Sequence, residues 1–86
     1  MPEICRFFGI IIRIYFDDHP PPHFHAVCGD DEAKIDIETS KVISGNLPRR
    51  ALSLVSQWRK LHQAELYVCW QRARQQLQPG RIDPLE

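Results

Sequence analysis

Hydrophobic residues recur at every second position from Ile10 to Phe16, where Ile10, Ile12, Ile14 and Phe16 alternate with Ile11, Arg13 and Tyr15. A period of two predicts a strand with one buried face and one mixed face. It should stop at Asp17-Asp18. Pro20, Pro21 and Pro22 cannot donate to a ladder and hold the chain extended, so a stiff connector is expected and not a tight hairpin. A second strand is predicted from His23 to Cys28, with Phe24, Ala26 and Cys28 on one face and His23, His25 and Val27 on the other. Gly29-Asp30-Asp31 turns the chain into a third strand, where Ala33, Ile35 and Ile37 alternate with Lys34, Asp36 and Glu38. Thr39-Ser40 reads as a turn before a short fourth strand at Val42-Ile43.

The period then changes. Ala51, Val55, Trp58, His62, Leu66, Cys69, Ala73 and Leu77 follow at steps of three and four, the apolar stripe of a helix. Asn46 is the expected N-cap, and Pro48 suits the first turn, where no backbone donor is needed. The restart signal His62-Gln63-Ala64-Glu65 leaves open a bend or short break there. Pro79-Gly80 ends the helix. These elements predict one α+β domain over residues 1–78: a small antiparallel sheet of three to four strands, covered on one face by a C-terminal helix or helix pair. Residues 79–86 are expected as an extended tail.

An 86-residue chain can bury only one small core. Cys5, Cys28 and Cys69 are odd in number and far apart, which supports neither a disulfide framework nor a zinc knuckle and fits a reducing, cytoplasmic compartment. The longest apolar run, Phe7 to Ile12, is too short for a signal core or a membrane span. Net charge is zero but unevenly spread. Acids dominate from Asp17 to Glu38, and bases dominate from Leu47 to Arg81. The halves can neutralise each other, or Arg59, Lys60, Arg72 and Arg74 can present a basic helical face to an acidic partner.

Candidate chemistry centres on Asp17-Asp18-His19-Pro20-Pro21-Pro22-His23-Phe24-His25, which places three of the four histidines within seven residues. If Phe24 faces the core, period two turns His23 and His25 to the opposite face, beside Arg13, Tyr15, Lys34 and Asp36. Metal binding is one reading. His23 and His25 stand roughly 6.6 Å apart along one strand face and can converge on a divalent ion, with Asp17, Asp18 or Asp36 supplying oxygen. His19 lies roughly 12 Å from His23 along an extended proline run, so it joins them only if that run bends. Proton transfer to a phosphodiester is another reading, with His23 and His25, helped by His19, as acid and base. Arg13, Lys34, Arg49 and Arg50 would then bind the anion. Two arginines in the first turn of a helix oppose its macrodipole, which makes them suited to an anion. A structural account competes with both, in which the rings only hold backbone carbonyls left without ladder partners. His62, Trp58 and Trp70 read as packing residues, and Cys28, next to the turn, is the thiol to test for reactivity.

The segments CRFFGIIIRIYFDDHPPPHFHA, AKIDI and GNLPRRALSLVSQW, with the HxxEL that follows, resemble a family of short bacterial proteins known as domain of unknown function 4160. The most specific part is DHxPPHFHA, matched by Asp18, His19, Pro21, Pro22, His23, Phe24, His25 and Ala26. Cys5, Val27-Cys28 and Ser40 depart from the usual pattern. The resemblance implies a bacterial toxin–antitoxin-type protein with a small cognate partner. The leading functional expectation is therefore such an element acting on RNA through the histidine-centred site. The alternatives are a non-enzymatic binding or regulatory module, antitoxin or adaptor, and a histidine metal-binding protein. A second copy of the chain is a further candidate partner, and a membrane is not.

Overall fold

The structure, a computed structural model, describes residues 3–86. Five strands form one antiparallel sheet in sequence order: β1 (Glu3–Phe7), β2 (Ile10–Arg13), β3 (His23–Cys28), β4 (Asp31–Asp36) and β5 (Val42–Gly45). One helix follows, α1 (Arg49–Arg74). The α+β class with a C-terminal helix is as expected, but there are five strands and not three to four.

The additional strand is β1. A register shift between Glu3 and Cys5 turns both Ile4 and Cys5 inward, with exposures of 0% and 1%. That bulge breaks the period of two by which a strand is read. Phe8 and Gly9 close the β1–β2 hairpin with positive φ angles of 49° and 78°, the pairing that matches the twist of a two-residue turn. The first expected strand also ends early: β2 stops at Arg13 and not at Phe16, although Ile14 remains fully buried.

Register places Ile12 opposite Ala26, and Phe24 opposite Ile35, so these side chains share one face. α1 packs on it. Trp58, fully buried, meets the rings of Phe7 and Phe24 with centroids 5.5 and 5.9 Å away. Full burial of side chains this large contributes about 1.5–3 kcal/mol each, which makes this cluster the main anchor of the helix. Ala51, Val55, Leu66, Cys69 and Ala73 continue the expected stripe, whereas Leu77 lies beyond the helix and is exposed.

α1 is interrupted at His62, whose φ of −124° and ψ of 24° leave the helical region. The bend falls where the restart signal stood, and His62 Nδ1 bonds Glu65 Oε1 across it at 2.6 Å. The N-terminal cap differs from expectation. Pro48 occupies the cap position without a side-chain bond, because Asn46 donates its backbone N–H to Glu32 O at 3.2 Å and is held against β4. The segment after Pro79 carries no regular element, yet it is docked: Ile82 N–H donates to Ile4 O at 2.8 Å, Ile82 is buried, and Trp58 Nε1 donates to Asp83 O at 2.8 Å. Among the described residues no helix is long and apolar enough to cross a membrane.

Candidate metal centre

The strand orientation is as the alternation predicts. His25 stands opposite Arg13 on β2 and Lys34 on β4, and His23 stands opposite Asp36, so all share the face away from Phe24. At the histidines that face is not open to solvent. His23 is 2% exposed and His25 7%. Period two identifies the face, but not what covers it, and here the connection from Ile14 to Pro22 folds back over it. Tyr15 lays its ring 4.3 Å from that of His25, and Trp70 from α1 meets His23 at 5.1 Å.

Asp18 completes the cluster. Its Oδ2 lies 3.0 Å from His25 Nε2 and 3.3 Å from His23 Nε2, and the three ligand atoms all lie within 4.8 Å of one another. Donors about 2.0–2.2 Å from a zinc-like ion stand roughly 3.3 Å apart in a tetrahedron, and the two Asp18–histidine separations match that spacing. The outer nitrogens are held as well. His23 Nδ1 bonds Pro21 O at 2.7 Å. A carbonyl only accepts, so Nδ1 carries the proton, and in the neutral ring Nε2 presents a lone pair. That buried Nε2 has no hydrogen-bond partner although a carboxylate oxygen stands beside it. With that ring neutral, two electron-rich atoms face each other, and either a proton or a metal cation between them would satisfy both.

His25 is bracketed by acids, with Nδ1 3.2 Å from Glu32 Oε2 and Nε2 3.0 Å from Asp18 Oδ2. A neutral imidazole has one N–H and can donate to only one of them. If it donates to Glu32, Nε2 is free to ligate, the carboxylate–histidine arrangement that orients metal-bound rings.

The remaining candidates separate from this cluster. His19 and Asp17 are exposed and take no part in the three-residue ligand group; the Pro20–Pro21 peptide is cis. Arg13 and Lys34 flank His25 in register, whereas Arg49 and Arg50 are exposed at the start of α1 and make no ion pair among the described residues. Arg59, expected on a basic outer face, is instead buried, with Nη1 donating to Ile37 O at 2.9 Å. Glu32 and the Pro21 carbonyl were not identified from sequence. A turn fixed at Gly29-Asp30 would have indicated Glu32, since it pairs Val27 with Glu32 and makes Glu32 the diagonal neighbour of His25.

The model of the family described as Domain of unknown function (DUF4160) matches residues 9–71. The chain belongs to the DUF4160 family. The match takes in Asp18, His23, His25 and Glu32, so the whole ligand cluster lies within the DUF4160 region. No curated protein and no solved structure matches the chain.

Proposed function

We propose that this protein binds one divalent transition-metal ion through Asp18 Oδ2, His23 Nε2 and His25 Nε2. The observation that carries the reading is the buried, partnerless Nε2 of His23, 3.3 Å from a carboxylate oxygen while its Nδ1–H is engaged by Pro21 O. Two imidazoles and one carboxylate favour zinc or ferrous iron over calcium or magnesium, which prefer all-oxygen sets. Three protein ligands leave at least one coordination position for water or another small ligand.

Elemental analysis of untagged protein, followed by thermal shift with zinc, ferrous and nickel ions, tests this directly. An ion present at about 100 times its Kd stabilises the fold by about 2.7 kcal/mol, which raises Tm by roughly 10–20 °C for a domain of this size. Asp18→Asn should abolish both the stoichiometric metal and the shift. A wild-type protein with neither would refute the reading.

Action on RNA as a toxin–antitoxin element draws support from the family resemblance and from Arg49 and Arg50, which are exposed and make no ion pair among the described residues. It is the weaker reading, because a polymer backbone would have to reach two rings that are almost wholly enclosed. Growth arrest and RNA integrity on expressing wild type and a His23→Ala/His25→Ala variant test it: a difference between the two, with both folded, would favour it.

A further inference from the structure

The two edges of the sheet are treated differently. Along β1 the C-terminal segment lies against the strand, with Ile82 N–H bonded to Ile4 O and Arg81 Nη1 to Glu3 O, and Glu3 and Arg6 form an ion pair. Charge and a covering segment are common protections of a sheet edge. β5, the opposite edge, has neither. Val42, Ile43, Ser44 and Gly45 are all exposed, Val42 and Ile43 by 39% and 42%, and the strand contains no charge and no proline.

Charge decides what this edge suits. Lys41 immediately precedes β5, and Arg49 and Arg50 follow it on the first turn of α1. All three are exposed, and none enters an ion pair among the described residues. Three acids of β4 and the turn after it are otherwise engaged: Glu32 Oε2 lies 3.2 Å from His25 Nδ1, Asp36 Oδ1 accepts the N–H groups of Glu38 and Thr39, and Glu38 Oε1 accepts the Tyr67 hydroxyl. A second copy pairing through β5 would bring two sets of these cations together. We infer that β5 is a docking edge for an extended segment of a partner protein, apolar at its centre and flanked by acidic residues, which adds as a sixth strand. Its four-residue length suits a transient complex.

The probe is a synthetic peptide of alternating valine and threonine flanked by glutamates, titrated to about 1 mM, with amide hydrogen exchange read across the sheet. Protection should rise at Val42–Gly45 and stay unchanged at β1. Reversing the flanking charges with Lys41→Glu, Arg49→Glu and Arg50→Glu should weaken binding at least about tenfold and transfer preference to a lysine-flanked peptide. Acids in the first helical turn suit the macrodipole, so this variant keeps its fold. No added protection at β5, affinity indifferent to charge reversal, or a homodimer whose β5 amides are protected without peptide would each overturn the proposal.

Discussion

With its proton on Nδ1, His25 would be held by Glu32 as His23 is held by the Pro21 carbonyl, each ring then turning Nε2 toward Asp18. Only the first is a side chain that can be replaced. Glu32→Ala should lower metal affinity about 10- to 100-fold without removing a ligand, and Glu32→Gln should recover part of it, as isothermal titration would show. The thiols make a second prediction. Burial pushes Cys5 and Cys69 upward from the ordinary thiol value of 9.0, while Cys28 is half-buried at a strand end. In the native protein an alkylating reagent should therefore label Cys28 first, and all three residues only after unfolding. The same burial has a pH consequence. The folded state holds the Cys5 and Cys69 protons to higher pH than the unfolded chain, so their contribution to stability is full below the ordinary thiol value and falls as pH rises beyond it. Tm measured across that range should drop less steeply in a Cys5→Ala/Cys69→Ala variant.

Among the elements, β4 and β5 determine how firmly Glu32 is held. Gly45 has a φ of 75°, and a Cβ at that position would lie 2.1 Å from Glu32 O, closer than any real contact. Gly45→Ala should thus force β5 away from β4, cost about 1–3 kcal/mol and also weaken metal binding, which denaturant unfolding and calorimetry would separate. The strands that obey a strict period, β3 and β4, were legible from sequence, as was the helix with its bend at His62. β1 was not, because its bulge turns consecutive residues inward. The facing of His23 and His25 was legible for the same reason that β3 was. Their enclosure was not, since it comes from an irregular connection whose path no periodicity encodes. Asn46 likewise looked like a helix cap, and its bond to Glu32 O is a tertiary contact that local spacing does not reveal.

At the scale of the whole molecule, the sheet separates two environments. One face forms the apolar core under α1, anchored by Trp58. The other carries the ligand cluster, sealed by the returning connection and, at one end, by Trp70. α1 therefore contributes to both, and the indole of Trp70, 5.1 Å from the His23 ring, connects the helix to the Asp18–His23–His25 cluster. On the proposed metal reading, this proximity makes Trp70 an optical gauge of occupancy. A paramagnetic ion such as Cu²⁺ or Ni²⁺ seated on Nε2 should quench the indole emission stoichiometrically, whereas zinc should leave its intensity largely intact. Trp70→Phe should silence that response while the deeper Trp58 continues to emit, so the spectrum reports occupancy by a quenching ion, and zinc would register only by displacing one.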